Sequence, residues 1–220
     1  MHRLSQKDWD KFAIAEDVVL KKVETGLLSG KLAQSIGLND DEKAILKSMQ
    51  LLTMKPILYV LNKKAGGKNL DETGDTRYKE LLDFVKNNNA KYVVVDAGVE
   101  NELKDLDAGD KETFRLELGA KDDGIDNLIK AGYETLDLIT FLTTGEDESR
   151  AWTTKRGSTA PIAGTSIHND FKDKFIRAEV IMWNKLLESG GYGVAREKGW
   201  VRTEGKDYVV QDGDVIEFKI

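Results

Sequence analysis

Two short apolar runs on either side of a helix-like segment constrain the fold of this chain more than any other feature. Residues 55–61 (Lys-Pro-Ile-Leu-Tyr-Val-Leu) and 92–95 (Tyr-Val-Val-Val) are compact and apolar, as strands are when both of their faces are covered. Between them, four apolar residues recur at helical spacing: Tyr78, Leu81, Leu82 and Val85. Strand, helix and strand in this order predict a βαβ unit with a right-handed crossover.

The segment before this unit predicts a helical hairpin over residues 1–54. A first amphipathic helix is predicted over 6–28, and only Glu16 interrupts its apolar face of Trp9, Phe12, Val19, Val23 and Leu27. A second helix is predicted to begin near Asn39, because Glu42 stands at the capping-box position. Its apolar stripe is Ile45, Leu46, Met49 and Leu52. Polar helices near 100–118 and 124–137 complete the α/β part over 55–137.

The pattern becomes rich in short strands from Leu138 onward. Strands are predicted at Leu138–Thr143, Arg150–Thr154, Ile176–Met182, Tyr208–Val210 and Val215–Ile220. Tight turns are predicted at 205–207 and 211–214. The predicted fold class is therefore α/β over 55–137 followed by α+β over 138–220.

Composition excludes several kinds of site. The chain has no cysteine, and its two histidines are His2 and His168, so thiolate chemistry and a histidine-rich metal site are excluded. A net charge of −6 argues against indiscriminate binding to nucleic acid. No signal peptide or membrane-spanning run is recognisable. We expect a cytoplasmic protein with no membrane partner, no metal ligands and no catalytic residues of its own.

Five stretches near the C-terminus resemble the YchF family of Obg-type nucleotide-binding proteins. They are residues 150–153 (Arg-Ala-Trp-Thr), 157–161, 167–171, 175–180 and 204–216. The resemblance implies that 138–220 form a TGS domain, a β-grasp fold found in translation-associated proteins. Residues 51–56 resemble the entry to the family's base-recognition strand. The resemblance further implies that 1–54 are the returning arm of a coiled-coil insertion. It also implies that 55–137 are the C-terminal remnant of a P-loop-NTPase-like core.

The same resemblance points to degenerate base-recognition loops. The family carries N-x-x-E at a position where this chain has Asn62-Lys63-Lys64-Ala65, and its last base-contacting loop falls on Ala97 and Gly98. A P-loop would need G-x-x-x-x-G-K-[ST]. The nearest string, residues 26–32, has one spacer too few and Leu32 in place of the hydroxyl, so it predicts a helix end and turn. ATP or GTP with Mg²⁺ is implied for the full-length family, and no cofactor for this chain alone.

Other candidate residues have competing interpretations. His168, beside Asp170, is either a contact residue or, as we favour, a histidine that holds a loop. Trp152, Trp183 and Trp200 could stack on bases but more often fill a core. Five cations are predicted to form one cluster that could meet phosphate, or an ordinary solvated surface: Lys155, Arg156, Lys172, Lys174 and Arg177.

The sequence leads to one favoured function and two alternatives. The favoured function is a module that binds the ribosome, through ribosomal RNA or protein, and lacks its own hydrolytic site. The first alternative is an ATP-preferring ATPase/GTPase whose site is completed by a separate P-loop-bearing chain. The second is a truncated product whose exposed sheet edge predicts self-association.

Overall fold

A computed structural model describes residues 6–118, 124–145 and 148–220. The chain divides into two compact units, the first ending at Thr135 and the second comprising Leu136–Ile220. Both are mixed α/β structures. His2 lies outside the described residues, and so do the side chains of residues 6–10, among them Trp9 of the predicted apolar face.

The first unit contains six α-helices and two strands among its described residues: α1 Gln6–Leu28, α2 Asp40–Leu46, β1 Leu58–Asn62, α3 Thr76–Asn87, β2 Lys91–Val95, α4 Ala97–Leu103, α5 Ala108–Glu117 and α6 Gly124–Thr135. The second contains β3 Leu138–Thr144, β4 Ser149–Lys155, α7 Ala160–Gly164, α8 Asp170–Asp173, β5 Arg177–Met182, α9 Trp183–Ser189, α10 Tyr192–Glu197, β6 Arg202–Glu204 and β7 Asp214–Lys219.

The predicted capping box of α2 is confirmed. The Asn39 side chain accepts the Glu42 backbone N–H, and the Glu42 carboxylate accepts the Asn39 N–H, both at 2.8 Å. Helices α1 and α2 then pack through the buried residues Val19, Val23 and Leu46. The predicted apolar face of α1 is buried only at its centre, since Phe12 and Leu27 are 48% and 41% exposed.

The predicted second helix is wrong beyond Leu46. Gln50 has a positive φ of 51°, a conformation that ends regular helix. Two short 3₁₀ turns, Lys47–Met49 and Leu52–Met54, replace the continuous helix. Met49 and Leu52 consequently lie on the surface, 50% and 78% exposed. The second arm of the predicted hairpin is therefore only a short helix followed by turns.

The βαβ prediction is confirmed. β1 and β2 pair in parallel from Leu58↔Lys91 to Asn62↔Val95, with α3 as the crossover. Val93 and Val95 are buried. Because strands paired in parallel point the same way, the two carboxyl ends lie side by side.

The second unit is built on a five-stranded mixed sheet in the order β4-β3-β7-β5-β6. Alternate residues of each strand face opposite sides. One side carries the main core of Phe141, Val180 and Ile216, which packs with Ala160 and Ala163 of α7. The other carries a smaller core in which Ile181 and Val215 pack against Ala195 of α10. Full burial of each large aliphatic or aromatic side chain stabilises the fold by about 1.5–3 kcal/mol.

The strand predictions for this unit are confirmed except at Tyr208–Val210. Only an isolated bridge, Thr159↔Val209, forms there. Ala160 N–H donates to Tyr208 O and Val210 N–H to Ser158 O. This segment therefore pairs with the chain entering α7 rather than with the sheet. The short strand β6 was not predicted.

The buried carboxylate of Asp214 holds this connection in place. Asp214 is fully buried, and its Oδ2 atom accepts the Tyr208 hydroxyl at 2.7 Å and the Gln211 N–H at 2.8 Å. Arg202 donates to the same phenol oxygen at 3.0 Å. Burial, and then the bond to Asp214, raise the pKa of Tyr208 to about 12. The neutral phenol is thus the form that the folded unit requires.

We expect Tyr208 to be the source of a stability loss at high pH. Its pKa is raised on folding, so its contribution is complete below about pH 10, the unfolded value, and is lost as pH rises through about 12. In a phenolate absorbance titration, the difference between wild type and Tyr208→Phe should show one group ionising near pH 12. The same difference measured in urea should fall near pH 10. Ionisation near pH 10 in both states would contradict the assignment.

Candidate functional site at the ends of the parallel strands

The parallel register brings two of the predicted loops into contact. Asn62 ends β1 and Ala97 begins α4, and the Asn62 Oδ1 atom accepts the Ala97 N–H at 3.1 Å. Lys63 N–H donates to Val95 O at 2.8 Å, which extends the strand pairing by one residue. Asn62 therefore links the two strand ends.

Lys63 is directed to its own loop. Its ammonium group donates to Asp71 at 2.9 Å and to Glu72 at 2.7 Å. These bonds, with Glu72 the larger contributor, raise the pKa of Lys63 above its ordinary value. The side chain is 29% exposed, so the two ion pairs contribute modest stability. Lys63 thereby folds the segment 62–75 back on itself.

Asp96 is the residue of this site that the sequence interpretation missed. One carboxylate oxygen accepts the Gly98 N–H at 3.0 Å and the Val99 N–H at 3.1 Å, which caps α4. The other accepts the Ala65 N–H at 2.5 Å. An Asp directly before a helix is a recognisable capping signal, but the bond to Ala65 depends on the register of β1 and β2.

The polar groups of these loops are therefore occupied by one another. The resemblance implies an acidic side chain at the fourth position of the motif, where this chain has Ala65. The carboxylate next to this position is instead that of Asp96, which accepts the Ala65 N–H. The N–H groups of Ala97 and Gly98 already have acceptors. An open cleft of about 300 Å³ adjoins Asn62 and Lys63, and its apolar lining includes Val60, Leu61 and Tyr78.

The P-loop-like string is a helix end, as expected. α1 ends at Leu28, and Gly30 adopts a positive φ of 79°. Gly30 N–H donates to Leu27 O and Lys31 N–H to Gly26 O, which satisfies carbonyls left free at the helix terminus. Gly26 lies against Ile36 with no room for a Cβ atom.

The second unit separates the cations that were predicted to form one cluster. Lys155 pairs with Leu138 at the start of β3, whereas Arg177 pairs with Lys219 at the end of β7. Because β3 and β7 run parallel from Leu142↔Val215, the two cations lie roughly 25 Å apart along the strands. The prediction of a single cluster is wrong.

The aromatic and histidine candidates have mainly structural contacts. Trp152 packs on the main core and donates its indole N–H to Thr143 at 2.9 Å, and Trp200 packs on the smaller core. Trp183 differs, being 48% exposed. His168 Nδ1 accepts the Asp170 N–H at 3.2 Å, as a loop-holding histidine does.

The described residues contain neither a membrane-spanning helix nor a metal-binding cluster. None of the helices there is long and apolar enough to cross a bilayer. Nor do residues 6–118, 124–145 and 148–220 bring three or more histidine, aspartate or glutamate side chains together in a way that could hold a metal ion.

The chain is similar to one named family across nearly all of its length. Residues 138–220 match a family model described as YchF-GTPase_C, protein of unknown function (DUF933). A protein of Bacillus subtilis (strain 168) named "Ribosome-binding ATPase YchF" is 42% identical over 213 residues, which cover 97% of this chain and 58% of that relative. A protein of the same name from Escherichia coli O157:H7 is 37% identical over 224 residues, 99% of this chain and 60% of its own length.

A solved structure has the same fold. The "Structure of the Schizosaccharomyces pombe YchF GTPase" superposes with a TM-score of 0.81 at 25% identity, covering 99% of this chain and 58% of that one. The chain thus spans less than two thirds of the length of the relatives it matches.

We expect Asp96 to contribute more to stability than an ordinary helix cap. Asp96→Ala should lower the free energy of unfolding by about 2.5 kcal/mol, because it removes a cap and leaves the Ala65 N–H without its charged acceptor. Asp107→Ala is the matched control, since Asp107 caps α5 through Gly109 and Asp110 alone. It should cost about 1 kcal/mol. Urea unfolding followed by circular dichroism measures both.

Amide hydrogen exchange locates the effect. Asp96→Ala should accelerate exchange at Ala65, and Asp107→Ala should leave it unchanged. Equal losses of stability in the two variants, with protection at Ala65 retained, would show that the bond between Asp96 and Ala65 contributes nothing.

Proposed function

The chain corresponds to the C-terminal portion of YchF, and from this premise we propose that it acts as a ribosome-binding module. The observation that carries the proposal is the similarity over 97–99% of the chain to proteins named for ribosome binding. Ribosomal RNA or protein is the proposed partner, and translation in the cytoplasm the proposed setting.

The domain assignments are part of this proposal. We assign residues 138–220 to a TGS domain of β-grasp type. A mixed five-stranded sheet that begins with the β3–β4 hairpin and places β7 beside β3 supports it. Residues 1–54 are assigned to the returning arm of a helical insertion, and 55–137 to the end of a nucleotide-binding core of the Obg type.

The proposed contact surface is the end of the sheet where β5 begins. Lys172 and Arg177 are exposed there, and within 138–145 and 148–220 neither forms an ion pair with a carboxylate. The neighbouring Lys174 is bound to Asp170 at 2.6 Å. Cations without a protein partner are the ones that can neutralise phosphates and release counterions. This makes Lys172 and Arg177 better candidates than the paired residues.

In this proposal the chain binds the ribosome and does not hydrolyse nucleotide by itself. Phosphoryl transfer depends on positioned phosphates and metal, and the 220 residues contain no G-x-x-x-x-G-K-[ST] sequence. ATP or GTP with Mg²⁺ belongs, in this proposal, to the longer relatives. Binding to the ribosome should then be independent of added ATP.

Co-sedimentation of the purified chain with ribosomes over a salt series tests the proposal. We expect pelleting that weakens with salt and is unchanged by ATP. The double variant Lys172→Glu/Arg177→Glu should bind at least about tenfold more weakly, and the slope of log affinity against log salt should fall by roughly 1.5. Lys155→Glu/Arg156→Glu, at the opposite end of the sheet, is the matched control and should change binding less than about twofold.

Each other outcome counts against a definite part of the proposal. Absence of pelleting at every salt concentration would refute ribosome binding. Loss of binding in the control pair alone would place the contact at the other end of the sheet. A response to ATP would show that the chain retains a nucleotide site.

One observation favours a second candidate function, nucleotide binding at the strand ends. The bond between Asn62 and Ala97 joins the loops that contact the base in the family. In this second function the chain contributes the loops that contact the nucleotide base, and a separate P-loop-bearing chain completes the site. The base-contacting residues would be Asn62, Lys63, Ala97 and Gly98. Relatives named as ATPases support nucleotide binding as a function of the family.

Ligand-observed NMR with ATP and GTP tests this second function. Saturation transfer to the adenine protons that disappears in Asn62→Ala would support it, because the substitution removes the amide that the family's motif places at the base and its bond to Ala97. Asn87→Ala, at the exposed last residue of α3 and outside these loops, serves as control. Transfer that is absent, or equal in both variants, would refute a base site at Asn62.

A further inference from the structure

Arg150 lies over the ring of Trp152 on strand β4. The guanidinium carbon is 4.7 Å from the centroid of the indole, and residues two apart on a strand share one face of the sheet. The ring itself is fixed, because it packs on the main core and its N–H donates to Thr143 at 2.9 Å. Every contact that places Arg150 is therefore made within residues 138–220.

The guanidinium group of Arg150 keeps its hydrogen-bond donors unused. The residue is exposed, and among residues 138–145 and 148–220 no carboxylate forms an ion pair with it, that of Glu148 included. Arg156 differs, since it is bound to Asp137 at 3.2 Å. A contact with an aromatic face occupies one side of the guanidinium plane but none of its five N–H groups. Arg150 thus presents an open planar face and a full set of donors.

Strand register places Arg150 beside the proposed ribosome contact. One row across the sheet contains Arg150, Thr143, Ile216 and Val180. Arg177 lies three residues before Val180 on β5, about 10 Å along the strands. Three strand spacings separate β4 from β5, which adds about 14 Å across the sheet. Arg150 and Arg177 are therefore roughly 17 Å apart, a distance that a short single strand of RNA spans.

We propose that the partner at this end of the sheet is single-stranded ribosomal RNA, one base of which stacks on the open face of the Arg150 guanidinium. The proposal rests on the ribosome-binding function proposed above and chooses RNA over ribosomal protein. Unstacked bases in RNA loops stack on arginine planes as well as on aromatic rings. Lys172 and Arg177 then neutralise phosphates further along the same strand.

The planar arrangement of Arg150 is what favours RNA over a protein partner. A carboxylate on a ribosomal protein would pair equally well with any cation, and would leave the face of the guanidinium unused. A base uses that face, while the N–H groups at its rim remain free to donate to a neighbouring phosphate. Bases in a duplex are already stacked and paired. Arg150 should therefore distinguish single-stranded from double-stranded RNA.

Fluorescence anisotropy with two dye-labelled RNA probes tests the stacking contact. One probe is an unstructured single strand of about 12 nucleotides, and the other is a duplex of the same length. Arg150→Lys keeps the charge and removes the plane, so it should weaken single-strand binding at least about fivefold and leave the salt slope unchanged. It should change duplex binding less than about twofold. Arg156→Lys is the matched control and should change neither.

A second substitution separates the charge of Arg150 from its planar face. Arg150→Gln should weaken single-strand binding at least about tenfold and lower the slope of log affinity against log salt by about 0.7. Circular dichroism of both variants should match wild type, since the replaced side chain is exposed. Wild-type affinity in both variants would overturn the proposal, and so would equal losses on the single strand and the duplex.

Ribosome co-sedimentation of the same variants separates this proposal from the function on which it rests. Both should pellet with ribosomes more weakly than wild type. A wild-type chain that pellets with ribosomes but binds neither RNA probe would overturn the RNA contact and leave ribosome binding through protein. Unchanged pelleting of Arg150→Lys and Arg150→Gln would overturn the contact at Arg150 alone. A wild-type chain that binds no ribosomes would overturn both proposals.

Discussion

The parallel pairing of β1 with β2 is the interaction on which the first unit's site depends. It sets Asn62 beside the start of α4 and Ala65 beside Asp96. Once those neighbours are fixed, the N–H groups of Lys63, Ala65 and Ala97 find acceptors on the other strand end. The outcome is a junction whose polar groups serve the fold.

In the second unit, both faces of one mixed sheet are covered by packed side chains. The main core fills one face and the smaller core the other. The buried Asp214 joins the connection before β7 to that framework through Tyr208 and Gln211. A buried carboxylate is tolerated because it accepts directed hydrogen bonds. The ends of the sheet remain charged and exposed, which is why the proposed ribosome contact lies there.

Local signals were predictable from the sequence, and long-range ones were not. The capping box at Asn39, the βαβ unit and the end of α1 near Gly30 depend on residues close together in the chain, and the structure has all three. The end of α2 depends on the backbone conformation of Gln50, which carries no strong residue preference. Asp214 and Asp96 act through partners fixed by strand register. The cation cluster failed for the same reason, because nearness in sequence between Lys155 and Arg177 is undone by the order of the strands.

Energetics explain why the strand ends alone make a poor ligand site. A ligand that accepts the Ala97 N–H must displace Asn62, and one that approaches Lys63 must compete with Asp71 and Glu72. Exchanging one hydrogen bond for another yields at most about 0.5–1.5 kcal/mol. Even millimolar affinity requires about 4 kcal/mol. Tight nucleotide binding would therefore have to come from phosphate contacts outside these loops. Lys172 and Arg177, by contrast, form no ion pair within 4.0 Å among the described residues of 138–220, so they can bind phosphates without breaking one.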